Sequence, residues 1–508
     1  MLIHILLHSC SCFLADAATD NMIKQHLFKY SEKPNIVLMM ADDLGWADIS
    51  PNNQNIDYTP NLEALASEGI RYTDYHSAAS VCTPSRAGLL TGRLGQRTGV
   101  ISNFGVNSEG GLPLTEHTMA EYLRSAGYNT GIIGKWHLGH HGDYHPLARG
   151  FDYYFGLPYS NDMGCILCSP AYNIKVNPQC GKNRMFNLSV PLFENTNIIQ
   201  QPVDLTTLTA RYIESAQKFM ASAIERNNPF FLYVPMTHVH VPLATDKRFA
   251  NKTGHGHLAD TIMEMDSYVG SITKFLKDQN VLKNTIVIFT SDNGPWEYKC
   301  NLAGSTTPFH GVWQKTQGGG GTSSKMSTWE GGHRVPFIIS WPEKLPGGIT
   351  KTDLVSALDL LPTFAMIANF TLQDDREYDG IPFPFLVPHT KTRALFLPDV
   401  DLIELWSLRY GQYKVYYATT PGDKDCQDSI GKGFLYHNPA LVFDISTDPQ
   451  EGEPLSMSDL PASFYHNIEL LKKSMRDSIY TTMRSSVNWN TDDKFAACCN
   501  KNNPYCAC

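Results

Sequence analysis

The chain is punctuated by continuous apolar runs, and each of them empties into a polar cluster. Ile36-Val37-Leu38-Met39-Met40 ends at Ala41-Asp42-Asp43, and Thr130-Gly131-Ile132-Ile133 leads into Gly134-Lys135-Trp136-His137. Pro229-Phe230-Phe231-Leu232-Tyr233-Val234 is followed by Thr237-His238-Val239-His240, and Thr285-Ile286-Val287-Ile288-Phe289-Thr290 by Ser291-Asp292-Asn293. A run without polar alternation suits a strand buried on both faces, as in a parallel sheet covered by helices. Amphipathic stretches over 59–66, 118–126, 206–226 and 257–277 supply such helices. The recurring order of apolar strand, polar cluster and helix predicts an α/β fold. Its core is a large mixed, mostly parallel sheet flanked by helices, with a site at the edge where the strands end.

After about residue 375 the pattern changes to short alternating strands, such as Tyr413-Lys414-Val415-Tyr416-Tyr417 and Leu441-Val442-Phe443-Asp444. A main domain over 33–370 and a smaller α+β domain over 376–508, with an antiparallel sheet, a terminal helix and a Cys-rich tail, are therefore expected. A chain of 508 residues is ample for both.

Composition narrows the partners and the compartment. A net charge of −9 argues against a nucleic-acid binder with a broad basic face, so any anionic ligand must be drawn by local cations. Residues 1–17 read as a signal peptide, with a short apolar core closed by Ala15-Asp16-Ala17. No later apolar run is long enough to cross a membrane. Of 12 cysteines, Cys10 and Cys12 leave with the signal, and Cys498, Cys499, Cys506 and Cys508 crowd the tail as a disulfide knot would. Sequons at Asn187, Asn251 and Asn369 agree with export through the secretory pathway.

The segment Val81-Cys82-Thr83-Pro84-Ser85-Arg86 puts a thiol at the mouth of a predicted helix. Pro84 pre-sets φ for a first turn, Ser85 is expected to satisfy free N–H groups, and Gly92 to end the helix. The positive end of a helix and the planar Arg86 cation both favour a sulfate or phosphate group. Asp42, Asp43, Asp292 and Asn293 are hard oxygen donors suited to Ca²⁺ or Mg²⁺. Lys135 and His137, read as i and i+2 of a strand, share a face. His238 and His240 repeat that spacing, but no further His or Cys ligand set stands near them.

Cys82-x-Pro84-x-Arg86 followed by Leu90-Thr91-Gly92-Arg93 resembles the signature of the sulfatase family. The segments Gly134-Lys135-Trp136-His137 and Thr328-Trp329-Glu330-Gly331-Gly332-His333-Arg334 also match its pattern. The tail cysteines and Asn187-Leu188-Ser189-Val190 resemble the lysosomal arylsulfatase branch, although four tail cysteines stand where that branch has six. The resemblance implies an alkaline-phosphatase-like fold and hydrolysis of sulfate monoesters, whether of small molecules, glycans or lipids. It implies that Cys82 is oxidised to formylglycine by a formylglycine-generating enzyme during maturation. Asp42, Asp43, Asp292 and Asn293, together with residue 82, then hold the divalent cation, Ca²⁺ with Mg²⁺ as the alternative. Arg86, Lys135 and Lys325 hold anionic oxygens. His137 serves as base, and His240 and Lys325 assist the leaving oxygen. Ser160 is a minor substrate-side position. Ser324 stands where a cysteine precedes the lysine in that branch, so Cys300 becomes the expected partner of Cys426. Lysosomal and secreted destinations, and a homo-oligomer, stay open. A phosphatase on the same fold would need a Ser or Thr nucleophile and usually two soft-metal sites; Thr83 is a poor nucleophile candidate, and the histidines for a second site are missing.

Overall fold

The computed structural model describes residues 33–164, 188–398, 404–422, 433–482, 484–503, 506 and 508. The expected signal peptide, Asn187, Cys165, Cys168, Cys180 and Cys426 lie outside the described residues.

In chain order the strands are β1 (Asn35–Ala41), β2 (Ile70–Tyr72), β3 (Tyr75–His76), β4 (Asn129–Ile133), β5 (Tyr153–Gly156), β6 (Leu192–Glu194), β7 (Asn197–Gln200) and β8 (Phe230–Pro235). They continue as β9 (Thr285–Ser291), β10 (Phe337–Ser340), β11 (Ile349–Lys351), β12 (Val355–Ser356), β13 (Ala394–Leu397), β14 (Ser407–Tyr410), β15 (Tyr413–Thr419) and β16 (Leu435–Asp444). Ten of them form one sheet in the order β11-β2-β10-β9-β1-β8-β4-β5-β6-β7. The central strands β9, β1, β8, β4 and β5 run parallel, and β10, β6 and β7 add antiparallel neighbours at either side. The parallel centre is what the apolar runs predict, and the mixed, mostly parallel sheet as a whole is the expected alkaline-phosphatase-like core.

Strand β1 shows why those runs carry no polar residue. Ile36, Leu38 and Met40 pack into one core with the helices Cys82–Thr91, Met119–Ser125 and Leu360–Ala368. Val37, Met39 and Ala41 point the other way, into a core closed by Pro60–Ser67, Leu208–Glu225 and His257–Asp278. Alternate residues face opposite sides of a strand, so both sets must be apolar. Helix Pro60–Ser67 is not capped by its own Thr59, which bonds Ser50 instead. Asp266 from helix His257–Asp278 accepts from the Asn61 and Leu62 N–H groups, at 3.1 and 2.8 Å. A carboxylate there answers both the free N–H groups and the positive helix end.

The four-stranded antiparallel sheet β13-β14-β15-β16 and the helix Phe464–Thr481 follow. Leu408, Val415 and Val442 of this sheet belong to the same core as Ile36 and Leu38. A buried charge cluster reinforces that junction. Glu330 accepts from Arg409 Nη1 at 2.7 Å, Lys414 at 3.0 Å and His76 at 3.0 Å, and Asp74 accepts from the same Nη1 at 3.1 Å and from Nη2 at 3.0 Å. Burial alone would raise the Glu330 carboxyl, but Arg409, His76 and Lys414 outweigh it and hold the group well below the usual range. The segment that resembles the sulfatase pattern after Lys325 thus supplies a structural anchor. Glu330→Gln leaves two buried cations short of a partner and is expected to destabilise the protein by about 3–5 kcal/mol. Urea denaturation of the variant checks this, and a loss under about 1 kcal/mol would show that the cluster does not hold the junction.

Candidate active site

The helix Cys82–Thr91 is buried along its whole length, and its first turn faces the carboxyl ends of the parallel strands. Val81 enters it in extended conformation and no side chain of the helix caps it. Asn103 from a neighbouring loop accepts from the Thr83 N–H at 2.9 Å. Pro84 lies in the first turn, where its missing N–H costs nothing. Ser85 does not take the expected capping role: its hydroxyl donates to the Asp292 carbonyl, tying the helix to the end of β9. Gly92 closes the helix with φ 66°, and its N–H reaches the Gly88 carbonyl at 2.8 Å.

Three carboxylates and three cations meet above Cys82. Asp42 accepts from Lys135 Nζ at 2.6 Å and lies 3.2 Å from Arg86. Asp43 accepts from Lys325 Nζ at 2.6 Å and from Asn293 Nδ2 at 2.7 Å, with His240 Nε2 at 3.5 Å. Asp292 takes both Nε and Nη2 of Arg86, at 3.0 and 2.7 Å. The Cys82 Sγ stands 3.6 Å from Asp42 Oδ1 and 3.4 Å from Lys325 Nζ. Cys82 is the free thiol among the described residues. In the tail, Cys498 pairs with Cys506 and Cys499 with Cys508, and Cys300 is disulfide-bonded as well.

The histidines are placed by a route different from the expected one. Lys135 and His137 do not lie on a strand, because β4 ends at Ile133 and the chain turns at Gly134. Gly134 has φ 140°, and a Cβ there would lie 1.9 Å from the Pro235 carbonyl oxygen, so only glycine passes. His137 is itself left-handed at φ 58°. Its Nε2 is 3.1 Å from the Phe104 carbonyl, while Nδ1 is buried with no partner. His240 keeps Nδ1 on the Val241 carbonyl at 2.6 Å and turns Nε2 to Asp43 and Ser160, each at 3.5 Å. His238 diverges, with Nε2 on Thr209 at 3.1 Å, and does not join the cluster. Thr83 Oγ1 donates to the His137 carbonyl at 2.9 Å, so its hydroxyl is already engaged.

Electrostatics follow from burial against charge. Burial pushes the Cys82 thiol up to about 12, and Lys135 and Lys325 only partly oppose it, so an unmodified Cys82 is a neutral thiol. Burial would also raise Asp42, yet Lys135 first, then His240, Arg86 and Lys325, drive it below the ordinary carboxylate range. Asp292 moves the other way, raised by burial and then by Asp42. Burial, and then Lys135 and Arg86, lower His137 well below the free imidazole value.

The donor set fits a hard divalent cation. Ligand atoms of Asp42, Asp43, Cys82 and His240 all lie within 4.8 Å of one another. Asn293 lies beside Asp43, and its Oδ1 is buried and unpartnered, an acceptor without a donor. A neutral thiol is a poor partner for such an ion, whereas oxygen at position 82 would complete an all-oxygen set. Sequence reading passed over Asn103, Phe104 and Trp296. Trp296 stands 4.6 Å from Lys325 Nζ and 5.5 Å from the His240 ring, and a tryptophan three residues beyond Asn293 was a usable signal. Phe104 and Asn103 act through a carbonyl and a loop amide, and neither leaves a motif.

A sulfatase family model matches residues 34–370, and a model of the C-terminal region of aryl-sulfatase matches 391–508. Human arylsulfatase G is 43% identical over 497 residues, covering 94% of this chain and 93% of that protein. Human arylsulfatase A is 36% identical over 492 residues, covering 92% of each. Among solved structures, the PsFucS1 sulfatase from Pseudoalteromonas sp. superposes with a TM-score of 0.79 at 23% identity, covering 93% of this chain and 95% of that one. The fold, the cluster over Cys82 and these relatives agree: the chain belongs to the sulfatase family and is a sulfuric ester hydrolase of the arylsulfatase type.

Proposed function

We propose that the protein hydrolyses sulfate monoesters at Cys82, matured to formylglycine, beside a divalent cation held by Asp42, Asp43, Asp292, Asn293 and residue 82. The observation that carries this reading is the buried Cys82 side chain between the Asp42 carboxylate and the Lys325 ammonium. When present, the aldehyde hydrate supplies the nucleophilic hydroxyl, and Ca²⁺ or Mg²⁺ supplies a Lewis acid for a sulfate oxygen. The chain's own groups do the rest. Arg86, Lys135 and Lys325 bring fixed cations to where negative charge gathers, in a site too dry for water to screen them. Asp42 and Asp292 keep those cations oriented. His240 through Nε2, or Lys325 through Nζ, gives the leaving oxygen its proton. His137 accepts a proton at Nδ1, and Ser160 supports His240 from the substrate side.

In this reading residues 33–370 form the catalytic domain, 376–508 the smaller domain, and 1–17 a signal peptide. Sequons at the exposed Asn251 and Asn369 and the two tail disulfides support passage through the secretory pathway to a lysosomal or extracellular destination. Among the described residues no helix is long and apolar enough to cross a membrane.

Asp43→Ala tests the proposal. The purified variant should lose bound metal, and sulfate release from 4-nitrocatechol sulfate should fall by about a hundredfold or more. Unchanged metal content and turnover would remove the cation site. The pH profile gives a second test. Lowering the His137 pKa favours its neutral, proton-accepting form down to more acid pH, so activity lost to its protonation should fall away only well below pH about 6.5. An acidic optimum in kcat with that limb is expected. A limb at or above pH about 6.5 would mean that another group is the base.

A further inference from the structure

We infer that residues 485–495, a strap packed against Phe104 and His140, position the His137 side chain, with Trp489 the chief positioning residue. The inference rests on the reading of His137 as proton acceptor and adds the part of the chain that holds it. A carbonyl oxygen only accepts, so the contact with Phe104 puts the hydrogen of the neutral ring on Nε2. The lone pair is then left on the buried, unpartnered Nδ1. Phe104 therefore selects the tautomer, and whatever fixes Phe104 fixes the base.

No helix or strand of the catalytic fold contains Phe104, which lies between the helices Gly95–Thr98 and Met119–Ser125. The strap holds it. Trp489 stacks on the Phe104 ring with centroids 4.9 Å apart and planes at 26°. Farther along the same loop, the Asn490 carbonyl accepts from the Glu109 N–H at 2.9 Å. At its end, the Phe495 carbonyl is 3.2 Å from Nε2 of His140, three residues beyond His137. The strap is itself tied at both ends. The Ser485 N–H donates to the Arg97 carbonyl at 2.9 Å, and the Cys498–Cys506 and Cys499–Cys508 disulfides follow its far end. It also passes so close that a Cβ on Gly110 would lie 2.1 Å from the Asn488 carbonyl oxygen. Trp489 remains 41% exposed while Phe104 is 2% exposed, so the indole works as a cover over Phe104 more than as core.

Trp489→Ala frees the loop, and a base displaced by about 1 Å costs on the order of a hundredfold in rate. The expected result is a fall in kcat of at least about tenfold with KM within twofold of the parent. The loss should be no larger for glucosamine 6-sulfate than for 4-nitrocatechol sulfate, because His137 takes a proton and does not protonate the leaving oxygen. Trp489→Phe, which keeps a ring on Phe104, should restore most of the rate. Rates are taken per folded, aldehyde-bearing molecule, so misfolding cannot imitate the effect. Where Trp489→Ala yields no folded protein, Phe104→Leu is measured against the same limits. A kcat within twofold of the parent, a loss that disappears after that normalisation, or a loss larger for the sugar sulfate would each overturn the inference. His137→Ala separates the two readings: if it retains turnover, the role of His137 fails, and if it is inactive while Trp489→Ala is not, only the strap fails.

Discussion

The site depends on the mutual neutralisation of buried charge. Asp42, Asp43 and Asp292 sit at most 5% exposed, and Arg86, Lys135 and Lys325 are as deeply covered. Isolated, each would carry a desolvation cost of several kcal/mol. Together they are tolerable, and the arrangement has a chemical consequence. A divalent cation brings two positive charges and a sulfate monoester one negative, so each offsets part of the other, and the cluster can take the two together more readily than either alone. The neutral state of the Cys82 thiol fits the same logic, because a thiolate there would bring a further buried anion.

Topology delivers these groups to one place. Asp42 follows β1, Asp292 follows β9, Lys135 follows β4 and His240 follows β8, and those strands are parallel neighbours in the central sheet. Their carboxyl ends therefore open on one edge, where α/β sheets bind ligands. The antiparallel sheet packs into the same core as β1, and Arg409 and Lys414 from it pair with Glu330 close to Lys325 in sequence. The later part of the chain thus packs on the main sheet through the Glu330 cluster and on Phe104 through the strap.

Much of this was legible in the sequence because burial on two faces demands unbroken apolar runs. β1, β4, β8 and β9 could be read from that alone, whereas the helix from Cys82 was read from Pro84 and Gly92, and the site roles of Lys325, His240 and Ser160 from the resemblance to sulfatases. The misreadings have local causes. Lys135 and His137 read as strand neighbours because a spacing of two fits a strand, but Gly134 takes a backbone conformation that ends it. Ser85 looked like a helix cap, yet the Asp292 carbonyl lies within reach of its hydroxyl and captures it. His238 and His240 share a spacing but not a direction, since Thr209 and Asp43 draw them apart. Phe104 contributes a backbone carbonyl, and carbonyls carry no sequence signature.

The proposed chemistry stands or falls on an oxidised cysteine at residue 82. Peptide mass spectrometry of active, secreted protein tests it most directly. The Cys82 peptide should carry the aldehyde or its hydrate, sulfate-releasing activity should scale with that fraction, and Cys82→Ser should fold but not turn over. Full activity in protein whose Cys82 remains a quantitatively alkylatable thiol would contradict it.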